Sequence, residues 1–238
     1  MCTFLTAQWR KLIMAQYEVD PEILAPFVPE GVEIDLFRNR CYVSLVGYLC
    51  DRVRLLRLPI PFHTSFEGIN LRFYVRRLNA QGTWDRGVVF IREFVPSPAI
   101  GFIGKAIYDQ SYTTAPTAHR IIPSASQLSV EYLWTYDGRA QRMSVEAEPT
   151  PHACAAGSEE EFMTDHYWGF ARRRNGTTSA YRVARPRWET YEVQNHGIAA
   201  NFSSLYGEAF AGLNYQLPHS VLLARGSAVA VSDGVFLS

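Results

Sequence analysis

The chain has 238 residues, 47% of them hydrophobic, with 23 basic side chains offset by 23 acidic ones. That neutral balance removes the electrostatic case for a nucleic-acid binder, and no apolar run approaches the roughly 20 residues needed to cross a bilayer. The amino terminus, MCTFLTAQWRKLIM, lacks the separate charged and apolar segments of a signal peptide, so a cytoplasmic location is expected, with Cys2, Cys41, Cys50 and Cys154 reduced.

Turn signals recur often and long amphipathic helices are scarce, which predicts a mainly antiparallel β fold in a single domain, 1–238. Trp9 to Val19 reads as a strand. Asp20-Pro21 then supplies an N-cap with proline at the first position of a short helix that ends before Pro29. Val32 to Phe37 and Cys41 to Tyr48 flank a hairpin turn at Arg38-Asn39-Arg40. A proline-bearing loop through Pro59 and Pro61 leads to a strand that begins at Glu67, and Asn79 to Gly82 is the next turn. Gly87 to Val95 returns as a strand, and Ser97-Pro98 opens an apolar helix from Ala99 to Tyr108. Gln127 to Tyr136 and Arg139 to Glu148 surround Asp137-Gly138, a pair suited to two-residue turns with positive φ. Ser158 and Glu161 form a capping-box pattern for a short helix through about His166. Asn175-Gly176 marks another hairpin before Thr177 to Val183, Trp188 to Val193 follows, and a helix around Phe202 to Phe210 precedes a last strand from Val221 to Val231.

Familiar chemistries can be tested by spacing, and most fail. Histidines 63, 119, 152, 166, 196 and 219 never recur at helical ligand spacing, and His152-Ala-Cys154 alone is a weak pair, so no metal site is expected. No GxSxG elbow, phosphate-cradling glycine loop or dinucleotide fingerprint occurs, and no cofactor is expected. Arg172-Arg173-Arg174 directly precedes the Asn-Gly turn and reads as a solvated hairpin tip.

What survives is a polar constellation on or beside strands: Arg10, His63, Glu67, Asn70, Arg72, Arg92, Glu93 and Tyr112. Glu67 heads the apolar row of Ile69, Leu71, Phe73 and Val75, while Asn70, Arg72 and Tyr74 share the opposite face. By the same period two, Arg92 lies with Val88, Phe90 and Phe94, and Glu93 with Val89 and Ile91. Whichever face of that second strand is buried, a charge goes with it, so an ion pair or a ligand is required. An arginine–glutamate network that only closes the fold is the plainer account. Glu67 is expected to line a cavity and to contact Arg10 or Arg92.

Several blocks carry a family resemblance: Phe4-Leu-Thr-Ala-Gln-Trp-Arg10, Tyr17-Glu-Val-Asp20, Val43-Ser-Leu-Val-Gly47, Phe66-Glu-Gly-Ile-Asn-Leu-Arg-Phe-Tyr-Val-Arg76, Gly157-Ser-Glu-Glu-Glu-Phe162, Tyr167-Trp-Gly169 and Leu223-Ala-Arg-Gly-Ser227. Together they resemble the YqjF-like family of uncharacterised conserved proteins over nearly the whole chain. That family resembles a branch of the acetoacetate decarboxylase-like superfamily. The resemblance implies a closed or nearly closed antiparallel β-barrel with an internal ligand cavity and a few short flanking helices.

Where the chain departs from that superfamily is equally informative. Acetoacetate decarboxylases carry a segment like G-R-E-x-x-G-x-P-K whose final lysine forms a Schiff base. The corresponding segment here is Gly104-Lys-Ala-Ile-Tyr-Asp-Gln-Ser-Tyr112, which puts Lys105 at the motif's arginine and Tyr112 at its nucleophilic lysine. Tyrosine cannot form an imine, so acetoacetate decarboxylase activity is not expected. Lys11, the remaining lysine of a chain with 21 arginines, lies in the first strand. Phe66-Glu67 resembles the aromatic-plus-glutamate motif that lines the decarboxylase cavity.

The resulting expectation is a protein with a cavity for a small molecule such as an organic acid. Glu67, Tyr112 and His63 would do the chemistry, and Arg10, Asn70, Arg72, Arg92 and Glu93 would bind the substrate. An enzyme acting on a small keto or carboxylic acid without a Schiff base and a non-catalytic binder or sensor both fit. Incompletely closed sheets leave edge strands and aromatic residues supply apolar surface, so a homodimer is expected.

Overall fold

Alternation of apolar and polar residues runs through long stretches of this chain, and a computed structural model, which describes residues 3–56, 58–59, 64–99, 111–173 and 175–237, turns those stretches into strands. Among the described residues one sheet contains β1 (Thr3–Glu18), β2 (Glu33–Ile34), β3 (Tyr42–Leu55), β4 (Leu58–Pro59), β5 (Ser65–Leu78), β6 (Trp84–Val95), β7 (Tyr112–Thr114) and β8 (Thr117–Pro123). It continues through β9 (Leu128–Tyr136), β10 (Arg139–Ala153), β11 (Trp168–Arg172), β12 (Thr178–Ala184), β13 (Glu189–Ala199), β14 (Ser220–Ser232) and β15 (Val235–Leu237). Short helices α1 (Pro21–Leu24), α2 (Glu159–Thr164) and α3 (Phe202–Tyr206) accompany it. No helix among the described residues is long and apolar enough to cross a membrane. His63, Lys105 and, past its first residue, the helix expected from Ala99 to Tyr108 lie outside the described residues.

Strand order is β15-β12-β11-β6-β5-β3-β1-β14-β13-β10-β9-β8. Because β12 also pairs with β14 through Val183↔Val231 and Ala184↔Ala230, the path from β12 through β6, β5, β3 and β1 to β14 comes back on itself as a nearly closed strand ring. Most pairings are antiparallel, but β6 pairs in parallel with both β7 and β11. The sheet is thus mainly antiparallel, as expected, with these two parallel exceptions.

Period two gives the ring an inside and an outside. Inside, Tyr181 and Val183 of β12 meet Cys50 and Val53 of β3, two strands that are not neighbours in the sheet. Leu12, Met14, Val46, Tyr74 and Val88 continue that interior, and Phe162 of α2 and Trp188 pack onto it. Outside, Ile13, Leu45, Ile69, Leu71 and Phe73 pack against Val130, Tyr132, Met143 and Val145 of β9 and β10 and against Phe202 and Leu205 of α3. Each such fully buried side chain contributes about 1.5–3 kcal/mol, so this sheet-on-sheet layer is the main adhesive of the fold. Gly47 lets the layers approach: a Cβ there would stand 2.6 Å from Met143 Sδ and 2.9 Å from Tyr132 Cδ2.

Local signals behave as their chemistry dictates. Asp20 caps α1 by accepting from the Glu22 amide at 2.9 Å, and Ser158 caps α2 by accepting from the Glu161 amide at 3.1 Å. Asp137 and Gly138 both have positive φ, at 49° and 68°, in the turn between β9 and β10. The helix expected to run from Phe202 to Phe210 stops at Tyr206, where Gly207 turns to φ 103°, and a 3-10 stretch, Glu208–Tyr215, follows. β8 has no counterpart in the sequence reading.

Candidate functional site

The polar residues of β5 and β6 separate onto the two faces of the strand ring, and a register shift decides which goes where. Asn70 pairs with Glu93, and Leu71 with Arg92, but Arg72 then pairs with Phe90, so Ile91 is an extra residue in β6. This bulge reverses the alternation along β6. Glu93 consequently joins the inside row with Asn70, Arg72, Phe90 and Val88. Arg92 is carried outside, where its Nη1 donates to the Leu205 carbonyl of α3 at 2.6 Å. Strict alternation had assigned Glu93 to Val89 and Ile91, and Arg92 to Val88 and Phe90; the bulge corrects both.

Inside the ring Glu93 is 3% exposed and is surrounded by neutral donors. Tyr48 of β3 donates to its Oε1 at 2.7 Å. Asn70 and Tyr112 are further hydrogen-bond partners of the carboxylate. The parallel pairing of β7 with β6, anchored by Glu93 N donating to Ser111 O at 2.8 Å, brings Tyr112 opposite Glu93. Desolvation pushes the Glu93 carboxyl above its usual range, outweighing those hydrogen bonds and the positive charge of Arg72. Tyr48 takes up its position across Gly68, its cross-strand neighbour: a Cβ on Gly68 would stand 2.5 Å from the Tyr48 phenol carbons.

Arg72 is 9% exposed and forms no salt bridge among the described residues. Its guanidinium lies 5.9 Å from the centroid of the Tyr74 phenol and contacts Met14 Sδ at 4.0 Å, while its Nε has no hydrogen-bond partner among the described residues. Asn70 Oδ1 is buried in the same condition. Beside them Ser44 Oγ and Tyr74 Oη are 2.6 Å apart, and Ser44 also donates to Gln16. Buried polar atoms are rarely left unpaired, which sets Arg72 Nε and Asn70 Oδ1 apart from these paired neighbours.

Glu67 stands apart on the outer face. Thr117 Oγ1 donates to its Oε2 at 2.7 Å, and His119 Nδ1 lies 2.5 Å from its Oε1, both from β8. Burial raises the Glu67 carboxyl, but the bonds from Thr117 and His119 outweigh it and hold the group below the usual carboxylate range. The expected contact with Arg10 or Arg92 is therefore corrected: Arg10 pairs with Gln8 and, at 3.7 Å, with Asp51. Lys11 is held by the Tyr191 hydroxyl and lies 4.1 Å from that phenol's centroid.

Of the residues singled out by sequence, Asn70, Arg72, Glu93 and Tyr112 come together; Glu67, Arg10 and Arg92 do not join them. Sequence reasoning missed Tyr48, although Ser44, Val46 and Tyr48 form a period-two row in which a buried serine was the available signal. It also missed a trio at the end of the ring near α2, with Asp35 and His166 buried and Arg86 half-buried, where Asp35 Oδ2 accepts from Arg86 Nε at 2.6 Å and lies 3.1 Å from His166 Nε2. Among the described residues no group of three or more His, Cys, Asp or Glu side chains has the spacing to hold a metal ion.

Comparison with known proteins gives a consistent fold. A family model for an uncharacterized conserved protein matches residues 6–228. The uncharacterized protein YqjF of Bacillus subtilis (strain 168) is 32% identical over 68 residues, a segment that covers 28% of each chain. Among solved structures, acetoacetate decarboxylase from Legionella pneumophila superposes with a TM-score of 0.65 at 11% identity, covering 100% of this chain and 90% of that one. An acetoacetate decarboxylase-like enzyme from Sphingomonas wittichii RW1 gives 0.67 at 11% identity, covering 100% and 94%. The enduracididine biosynthesis enzyme MppR, complexed with pyruvate, gives 0.66 at 12% identity, covering 100% and 92%. The fold is the acetoacetate decarboxylase-like one.

Proposed function

The chain belongs to the DUF2071 family of uncharacterized conserved proteins, and from the polar interior of its strand ring we propose that it takes a small keto or carboxylic acid there and works on it by acid–base chemistry without a Schiff base. The observation that carries this reading is Glu93: a buried carboxylate whose proton affinity is raised by desolvation, with neutral donors around it and an under-bonded arginine nearby. A carboxylate of that kind is a better base than an exposed one and is suited to proton transfer. Arg72 would hold the acid's carboxylate, and the Tyr112 and Tyr48 hydroxyls would steady charge that develops on a carbonyl oxygen. In the simplest step Glu93 removes a proton from the carbon beside the carbonyl, the C–H electron pair becomes an enolate, and the proton is later returned. The motif reading of the sequence puts Tyr112 at the position of the decarboxylases' lysine, which is why the proposal assigns no covalent step.

Pyruvate in D2O is the first probe, with the methyl signal followed by proton NMR. Deuterium entering the methyl group with the wild-type chain, and not with Glu93→Gln, is the expected result. Acid binding that depends on Glu93 but brings no exchange with any keto acid would assign the ring to a non-catalytic binder. Absence of binding by every acid tried would remove the reading. Borohydride in the presence of acetoacetate should leave no reduced adduct on the protein. The edge strand β8 also keeps a homodimer within this proposal, and light scattering at twice the monomer mass is the outcome it requires.

A further inference from the structure

The trio at the other end of the ring contains an atom with nothing to do. Pairing of β2 with β5 places Ile34 opposite Val75, and Asp35 N donates to the Tyr74 carbonyl at 2.9 Å, so the Asp35 carboxylate sits at the wall of the ring. α2 ends at Thr164 and delivers His166 to that wall, 2% exposed in its side chain, with its imidazole 4.7 Å from the Tyr74 phenol and 5.0 Å from the Phe162 ring. Asp35 Oδ2 receives Arg86 Nε at 2.6 Å and faces His166 Nε2 at 3.1 Å. An aspartate can only accept, so it fixes the hydrogen on Nε2 and leaves Nδ1 as a bare lone pair. That Nδ1 is buried and has no hydrogen-bond partner among the described residues.

Among the described residues, three buried polar atoms without a hydrogen-bond partner thus belong to side chains of the ring interior: Asn70 Oδ1, Arg72 Nε and His166 Nδ1. Arg72 lies close enough to both ends for its charge to act on Glu93 and on His166. A lone-pair acceptor in a buried wall calls for a donor. An ammonium is the wrong donor, because Arg86 and Arg72 already impose positive potential on the imidazole. A neutral hydroxyl meets no such repulsion.

We infer that the ring is built for a hydroxy acid, whose carboxylate is held by Arg72 and whose hydroxyl donates to His166 Nδ1. This rests on the reading that acids enter the ring at Glu93 and adds the chemical class of the ligand. Asp35 and Arg86 then act as positioning residues that keep the imidazole in one tautomer.

The test uses the full-length chain with 15N-labelled histidine. Lactate, 3-hydroxybutyrate and 4-hydroxybutyrate are titrated against their parent acids, propionate and butyrate, while the imidazole nitrogens are followed by long-range 1H–15N correlation. His166→Gln assigns the signal, and its amide nitrogen can keep the donation to Asp35 while the Nδ1 acceptor is deleted. The expected result is a bare Nδ1 that shifts on adding at least one hydroxy acid, with that acid bound about tenfold more tightly than its parent and the advantage gone in His166→Gln. Equal binding of hydroxy and parent acids, still lost in Glu93→Gln and with Nδ1 unmoved, would overturn the hydroxy-acid assignment and leave the Glu93 reading standing; a buried water on Nδ1 would give that pattern. If no acid binds the wild-type chain, both fall. The wild-type titration decides the matter even if His166→Gln does not fold.

Discussion

Glu67 and Glu93 lie on neighbouring strands and are both drawn out of water, yet they end in opposite electrostatic states. Glu67, on the outer face, gains hydrogen bonds from Thr117 and His119 that favour its charged form, and its proton affinity falls. Glu93, inside the ring, is more deeply desolvated and is answered by neutral hydroxyl and amide groups with no salt bridge among the described residues, so its proton affinity rises. Burial alone does not mark a reactive carboxylate. The shortfall of compensation does, and on that ground the proposal assigns proton transfer to Glu93 and a clasp between sheets to Glu67.

The comparison breaks most sharply in turnover. Glu93→Gln should slow deuterium exchange into pyruvate by about 100-fold or more, the scale of an acid–base group, while Glu67→Gln should leave the rate within about twofold; reversed effects in the NMR assay would restore Glu67 as the centre. Next in size, Arg72→Gln should weaken binding of any acid by about 10- to 100-fold, as for a hydrogen bond to a charged group, whereas Arg92→Gln, on the outer face, should not change it. Calorimetric titration separates the two.

Gly68→Ala probes the support of the site. Its new methyl group would overlap the Tyr48 phenol, and overpacking of this kind costs about 1–3 kcal/mol. Thermal unfolding should drop accordingly, and exchange should slow because Tyr48 is displaced from Glu93. Unchanged exchange would show that the Tyr48 hydroxyl is dispensable.

The smallest effects are on stability, and their signs are opposed. Glu67 has a lowered folded pKa, so its contribution is complete above the unfolded value of about 4.3 and is lost as pH falls through the folded value. Glu67→Gln should therefore destabilise the protein at pH 7 by about 1 kcal/mol and progressively less in acid. For Glu93 the folded pKa is raised, so its favourable contribution is complete below about 4.3 and is lost as pH rises through the folded value. Glu93→Gln should be at least as stable as the wild type at pH 7 and lose that advantage in acid. Urea denaturation at pH 7 and pH 4 reads both signs, and two variants that respond in parallel would dissolve the contrast.

Much of this was legible from side-chain periodicity. The Ile69, Leu71, Phe73 and Val75 row does pack into the core, and Asn70, Arg72 and Tyr74 do share the opposite face. The motif comparison put Tyr112 at the lysine position, and Tyr112 stands beside Glu93. What could not be read depends on distant partners. Glu67 looked like a lone charge on an apolar face because β8, a short polar stretch 50 residues away, supplies its companions. His166 carries no local mark at all, since the aspartate that orients it lies 131 residues earlier.

The extra residue at Ile91 has a consequence for how this site could be made or lost. No side chain chemistry distinguishes Arg92 from Glu93 as the one that faces inward; the register with β5 past the bulge does. Removing Ile91 would take out only the residue that has no partner in the ladder, leaving Arg92 opposite Leu71 and Glu93 opposite Asn70, whereas drawing Ile91 into the ladder opposite Leu71 would exchange the two and bury a cation where the acid now stands. An alignment of related chains that slides β6 by a single position would make the same exchange on paper. The identity of the central group is thus written as a register: a deletion confined to Ile91 would keep Glu93 inside, and a one-residue slip of the pairing would turn it out.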